Sequence, residues 1–488
     1  MIKFNYESLK DRIYACWLGK NIGGTMGTPY EGGRELLDIQ GFVTKPGEVL
    51  PNDDLDLQLV WLRACEEYNP LNVDAKVLSE FWLDYISPNW NEYGIGKANM
   101  KIGMLPPLCG EYENDWKHSN GAWIRTEVWA CMAPGCPDVA IKYAAEDACI
   151  DHGMGEGTYA AIFVAALEAA AFVVKDIREL INIGLSKIPD DCRVARSAKL
   201  VCDCYDNGID WKTARQKVVE DSADLGWFEA PANVAYVILG LLYGEGDFKR
   251  SMILAINCGD DTDCTGATIG SIMGIMGGTA FVPKDWCEYL GDEIVTVSVN
   301  WGCLYKKIRT CTELTDRVMA QIPAMLLANR VGNVDIHAAA DECDEAEIAK
   351  FKGGAVAADL CARPGRSYDM DFIHHKVRVI YDADPTVAAG GSVPMRIIFQ
   401  KHPGKIGTGP SRVSLRWILP EGWSVTGAKT ELYIAHSRPS IATLPRNMSE
   451  ITFSVNAGEN VAFCNRIILE AIYEGHPLPM LIPIMIYG

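Results

Sequence analysis

No stretch of the chain reaches the roughly 20 consecutive apolar residues that a bilayer-crossing helix needs, and Met1 to Glu7 show no basic segment leading into an apolar one. A cytoplasmic protein without a membrane partner is the expectation. Positive charge is scarce: 45 Lys and Arg stand against 64 Asp and Glu, a net charge of -19. Nucleic-acid affinity comes mainly from basic side chains that neutralise phosphates, so no nucleic-acid partner is expected. Basic runs, internal repeats and low-complexity tracts are also missing. Paired cysteine spacing is absent too, since the seventeen cysteines are scattered and Cys202-Asp203-Cys204 is too close-set for a CxxC site. An odd number of dispersed thiols in a large chain fits reduced, mostly buried cysteines rather than a disulfide framework.

What is there is apolar helix. The 488 residues are 49% hydrophobic, enough for two or three domains with large cores. Up to residue 335 long segments read as helix: Asp138 to Cys149, Gly157 to Val174, Pro231 to Tyr243, Lys249 to Asn257 and Ala267 to Gly277. Several are apolar nearly all round, which places them inside a large helical domain. Gly266, Gly270, Gly274 and Gly278 recur every fourth residue. Each costs a helix about 1 kcal/mol relative to Ala, so the row implies a close-packed neighbouring helix.

Residues 336–370, with the acidic run Asp341-Glu342-Cys343-Asp344-Glu345, read as a connector. Beyond it the period changes to two. Val377 to Tyr381, Val393 to Phe399, Val413 to Trp417, Glu431 to Ala435, Ile451 to Val455, Ile467 to Tyr473 and Met480 to Ile486 read as strands between Gly, Pro and Asn turns. That pattern describes a β-sandwich over residues 371–488. The expected fold class is multidomain: a large all-α domain over residues 1–335, then a small all-β sandwich.

Two acidic clusters interrupt the helical part, Asn52-Asp53-Asp54-Leu55-Asp56 and Asn257-Cys258-Gly259-Asp260-Asp261-Thr262-Asp263, each running into an apolar helix. Capping alone explains either one, because Asn and Asp accept orphan amide hydrogen bonds at helix starts. Two such starts in one domain point to a hard, oxygen-loving cation. A calcium loop fails: Asp261, Asp263, Thr265 and Gly266 match positions one, three, five and six, but the twelfth position, which must supply a bidentate Glu, is Ile272. An isoprenoid-synthase pair of DDxxD motifs fits poorly, because these acids crowd at helix starts with one-residue gaps and no Arg or Lys among them.

Four segments resemble the ADP-ribosylglycohydrolase family in the right order, from residue 10 to residue 330. Cys16-Trp17-Leu18-Gly19-Lys20-Asn21-Ile22-Gly23-Gly24-Thr25-Met26-Gly27-Thr28-Pro29-Tyr30-Glu31 is similar to its opening helix. The first acidic cluster resembles its Ser/Thr-Asp-Asp-Thr motif, Asp151-His152-Gly153 with Glu156-Gly157 its His-Gly then Glu-Gly helix start, and Asn257 to Cys264 its Asn-x-Gly-Gly-Asp-Thr-Asp-Thr motif. The resemblance implies an all-α fold holding two Mg²⁺ ions, with Mn²⁺ as an alternative, and hydrolysis of an N- or O-glycosidic bond at the anomeric carbon of a ribose.

Carried over by position, Asp53, Asp54, Asp261 and Asp263 are the expected metal carboxylates, with Asn52 and Cys264 completing the set. Both of the latter depart from the family pattern. Asn52 replaces Ser or Thr with an amide oxygen that still ligates, whereas Cys264 replaces a Thr hydroxyl with a thiol, a poor donor to hard Mg²⁺. Glu31 resembles the mobile acid near the metals and is a candidate general base, with Asp53, Asp54 and Asp261 as its catalytic partners. A solvated loop carboxylate is the plainer reading of Glu31. His152 reads equally as a structural histidine and as a substrate contact.

Trp82, Tyr85, Trp90, Tyr93, Tyr112, Trp116, Trp123 and Trp129 crowd one segment, part core and part cleft wall. Aromatic faces stack on bases and on sugars. Gly121, Trp123, Arg125, His152 and Glu156 are the candidate substrate contacts, although Arg125 serves equally as the partner of an acid. Three functions stay open: hydrolysis of an ADP-ribosylated substrate, hydrolysis of another small-molecule glycoside or nucleoside in the same cleft, and binding without catalysis. Leu419-Pro420-Glu421-Gly422-Trp423-Ser424-Val425 resembles a motif of immunoglobulin-like modules attached to glycosidases, which favours the second. The sequence leaves the oligomeric state open.

Overall fold

The computed structural model describes residues 1–300, 302, 306–402, 411–434 and 448–488. Cys303, and Ala435 at the end of one expected strand, lie outside the described residues. The chain divides into two compact units, residues 1–97 with 113–363 and residues 98–112 with 364–488.

The first unit is helical and is built around one pair of helices. Tyr6–Gly27 starts at Asn5, whose side chain accepts the amides of Glu7 and Ser8, and it packs along Thr262–Gly277. Glycines line the seam from both sides. A Cβ on Gly19 would stand 2.1 Å from the Gly270 carbonyl oxygen, and one on Gly274 would stand 2.3 Å from the Ala15 carbonyl oxygen. The expected row on Gly266, Gly270 and Gly274 therefore meets Gly23, Gly19 and Ala15 of the first helix, while Gly278 ends the second with φ 67°. Two helices this close bring both acidic segments to one end of the pair, where Thr262 Oγ1 donates to the Gly27 carbonyl at 2.8 Å.

Pro137–His152, Glu156–Ala171, Ala230–Tyr243 and Phe248–Asn257 stand where helices are expected. Glu156–Ala171 and Ala230–Tyr243 are buried on nearly every side, which explains their lack of a polar face. Residues 336–370, read from the sequence as a connector, contain Glu345–Ile348 and Ala355–Cys361 as helices and most of the strand Ser367–Asp371, and Glu342–Cys343 pairs with Ile2–Lys3 beside Val334–Asp335. Among the described residues no single helix is long and apolar enough to cross a membrane, and every described cysteine is a free thiol.

The second unit is an antiparallel β-sandwich. One sheet runs Ser367–Asp371, His375–Tyr381, Ser392–Lys401, Met448–Asn456, Ser424–Thr426; the other runs Met480–Tyr487, Cys464–Tyr473, Ser411–Ile418, Glu431–Ile434. Val377, Val379, Ile397, Phe399, Ile451 and Phe453 of the first sheet are buried, as are Val413, Ile467, Leu469, Ile482 and Ile484 of the second, as the period-two pattern requires. Residues 98–112 belong to this unit: the Ile102 carbonyl accepts from Tyr487 Oη at 3.2 Å and Cys464 Sγ at 3.4 Å, and Pro107 bridges to Tyr368.

Candidate metal centre and cleft

Capping at the first acidic cluster falls to Asn52 alone. It has extended backbone (φ -143°, ψ 124°) and its Oδ1 accepts the Asp54 amide at 2.8 Å at the head of helix Asp53–Tyr68. At the second cluster Asp261 occupies the N-cap position of Thr262–Gly277 and makes no side-chain cap. The acids are therefore in excess of what the helix starts require.

Not all of them face one another. Asp56 Oδ2 accepts the amides of Val297 and Ser298, both at 2.6 Å, and so fixes the loop that brings Val297 to the cleft. Asp260, in left-handed backbone at φ 61°, pairs with Arg34 at 3.3 Å. The rest converge. Ligand atoms of Asp54, Asp263 and Cys264 lie within 4.8 Å of one another, as do those of Glu31, Asp261 and Asp263. Asp263 belongs to both groups.

Asp54, Asp261 and Asp263 are buried, and one oxygen of each, Asp54 Oδ2, Asp261 Oδ1 and Asp263 Oδ1, has no hydrogen-bond partner. Buried acceptors normally find a donor, so these oxygens fit a hard cation. Their ionisation shows the same shortage. Burial, then the charges of Asp263 and Asp53, push Glu31 up to about 8. Burial and the charge of Asp263 push Asp53 up to about 6, against the hydrogen bond that Tyr93 Oη donates to it at 3.0 Å. Asp54 and Asp261 are driven well up, first by burial. Clustered carboxylates that resist ionisation are a place where an added cation would restore their charge.

These acids form the floor of a cavity of about 410 Å³. Trp90, Tyr93, Trp227 and Phe228 form aromatic walls, and Glu92, Asn120 and Gly121 close one side. A Cβ on Gly121 would stand 2.3 Å from Glu92 Oε1, so any larger residue there has to displace the Glu92 carboxyl. Of the expected substrate contacts, Gly121 alone lines the cavity; Trp123, Arg125, His152 and Glu156 do not.

Each of those four has another task. Trp123 Nε1 donates to Asn120 Oδ1 at 2.9 Å, and Asn120 Nδ2 donates to Asp261 Oδ2 at 2.7 Å, so the indole orients the amide that orients the acid. Arg125 is fully buried, pairs with Asp147 at 2.9 Å and Asp151 at 2.8 Å, and donates to the Gly121 carbonyl. A guanidinium so engaged has no donor to spare for a ligand. His152 lies between Asp151 (Nδ1 to Oδ1, 2.8 Å) and Ser119 (Nε2 to Oγ, 3.0 Å). Glu156 accepts the amides of Arg193 and Val194 and caps the next helix but one.

Sequence reasoning gave no site role to Glu92, Asn120, Trp227 or Phe228. Asn120 had a signal, its position beside Gly121 in the segment that also holds Trp123 and Arg125. Trp227 and Phe228 carry none, because they reach the cleft from a loop far from either acidic cluster.

A family model described as ADP-ribosylglycohydrolase matches residues 5–323. Among solved structures, a chain titled "ADP-ribosylglycohydrolase-related protein complex" is similar at 20% identity and a TM-score of 0.41, over 66% of this chain and 99% of its own. No curated protein matches the chain. The family match takes in well over half of the sequence and every acid of the cleft, and the chain belongs to the ADP-ribosylglycohydrolase family.

Proposed function

We propose that the cleft is the catalytic site of a metal-dependent glycohydrolase that cleaves an N- or O-glycosidic bond at the anomeric carbon of a ribose, with an ADP-ribosyl group as substrate. The observation that carries this reading is the pair of ligand groups sharing Asp263. Asp53, Asp54, Asp261 and Asp263 would hold two Mg²⁺ or Mn²⁺ ions, with Asn52 and Cys264 beside them. When bound, such a pair supplies Lewis acidity, lowering the pKa of water and orienting ribose hydroxyls.

The chain's own residues do the rest. Glu31 lies on the loop after the first helix with its carboxylate beside Asp261 and Asp263, and its raised affinity for protons suits a carboxylate that takes one from an attacking water. Asn120, held by Trp123, fixes Asp261 in one orientation. Trp90, Trp227 and Phe228 offer faces for a base or a sugar ring.

A second reading, a smaller glycoside or nucleoside in the same cleft, has one observation in its favour. None of the described lining residues is Lys or Arg, the usual partners of a pyrophosphate. Hydrolysis of a panel of ADP-ribosylated peptides, nucleosides and simple glycosides, with Mg²⁺, Mn²⁺ or a chelator, separates the two. Turnover of ADP-ribosylated substrates supports the first reading; turnover of uncharged glycosides alone replaces it with the second.

A further inference from the structure

Four of the chain's eight histidines, His374, His375, His402 and His476, gather at one end of the β-sandwich, far in sequence from the acidic cleft. His375 pairs in register with Lys401 where their two strands meet that end, and Tyr473 ends a strand of the opposite sheet. His374, His375, His476 and Tyr473 line a cavity of about 280 Å³ together with apolar side chains that include Ile373 and Leu478. The rings are packed against one another: His374 and His476 have centroids 4.2 Å apart, His476 stacks on Tyr473 at 4.3 Å and 13°, and His375 meets the Tyr473 ring edge-on at 5.1 Å.

His375 is the anomaly. It is fully buried, it lines the cavity, and neither of its ring nitrogens has a hydrogen-bond partner. Buried polar atoms without partners are rare and destabilising, so a ring left this way in a cavity wall gains from any small shift that lets a ligand in the cavity reach its nitrogens. The surrounding charge says which kind. Burial, then His374, Lys401, His402 and His476, all basic, push His375 down to about 4. Asp371, the carboxylate among the lining residues, is half exposed and lies 3.6 Å from His402 Nε2. The cavity thus presents imidazoles and apolar surface and little negative charge of its own.

We propose that this cavity binds a small organic carboxylate, with the carboxylate held by His374, His375 and His476 and the apolar body against Ile373 and Leu478. Three other ligands fit less well. A transition metal needs ligand atoms that meet, and among the described residues no group of three converging within 4.8 Å contains a histidine. A sugar needs an open aromatic face, whereas Tyr473 carries His476 stacked on its ring and Lys401 Nζ 5.9 Å from its centre. Inorganic phosphate gains nothing from the apolar lining.

The test uses the full chain labelled with ¹³C at the histidine ring, so that each histidine gives one signal. Benzoate is titrated in near neutral pH, with benzamide, glucose and Zn²⁺ as separate arms. Benzoate should shift the signals of His374, His375 and His476 saturably and leave His118 and His152 in place. His476→Gln and His374→Gln, both at partly exposed positions, should each weaken the binding about tenfold, the loss of one charge-assisted hydrogen bond. No saturable shift by about 10 mM benzoate overturns the proposal. So does an equal response to benzamide, a response to glucose or Zn²⁺ without one to benzoate, or full affinity in both variants.

Discussion

Cys264 donates its thiol to Asp54 Oδ1 across 3.4 Å and so ties the start of the second acidic helix to the start of the first. Burial, then Asp261, Asp54 and Asp263, drive the thiol well above its usual range, so it stays protonated beside those carboxylates. A neutral sulfur is a weak donor to a hard cation. Cys264→Thr, which supplies a hydroxyl oxygen at the same place, should therefore tighten Mg²⁺ binding about three- to tenfold. Calorimetric titration of Mg²⁺ into both proteins checks this, and unchanged or weaker binding in the variant would remove Cys264 from the metal centre.

The glycine seam carries the site on its back. Gly270→Ala would place a methyl 2.0 Å from the Gly19 carbonyl oxygen, backbone that no rotamer change can move. Overpacking of this kind costs about 1–3 kcal/mol or more. Gly332→Ala, with nothing within 4 Å of the new methyl, should stay within about 0.5 kcal/mol of the parent. Denaturant titration of both variants gives the comparison, and equal stability would mean that the helices separate without cost.

Arg125 pairs with both Asp147 and Asp151 inside the cleft wall. Arg125→Met leaves Asp147 and Asp151 buried without their cation and should cost about 3–5 kcal/mol. A stable Arg125→Met protein that has lost only substrate affinity would instead place the guanidinium at the substrate.

Burial, and next the charge of Asp151, push Glu92 from its usual 4.5 up to about 8. Between those values the folded chain holds a proton that the unfolded chain has released, so this group's stabilisation is complete below about pH 4.5 and is lost as pH rises through about 8. Glu92→Gln has no such loss. The melting temperature of Glu92→Gln minus that of the parent should thus increase from about pH 5 to about pH 8 and then level off. A flat difference would show that Glu92 ionises freely.

Much of this was legible in the chain itself, where periodicity carried the message. The apolar helices, the glycine row and the alternating strands each follow from one local pattern. Asp53, Asp54, Asp261 and Asp263 stood out because two helix starts in one domain each carry more acids than capping needs. The residues whose surroundings the chain does not reveal are those whose partners lie far away in sequence. Arg125 and Glu156 look available in sequence, yet one meets Asp147 and Asp151 and the other caps the helix that begins at Arg193. Residues 98–112 pack with the sandwich through Tyr487 and Tyr368, contacts nearly four hundred and more than two hundred residues away in sequence. Trp227 and Phe228 carry no pattern at all, since a cleft wall needs only an aromatic face delivered from any loop.

Asp263 is the residue common to both ligand groups, which makes it the sharpest probe of the account. Release of ADP-ribose from an ADP-ribosylated peptide should be measured for the parent chain and for Asp263→Asn, with Mg²⁺ and with a chelator. The parent should turn over only with the metal, and the variant should be slower by about a hundredfold or more while folding normally. Parent activity that survives the chelator, or full activity in Asp263→Asn, would contradict the metal-dependent glycohydrolase proposed for this cleft.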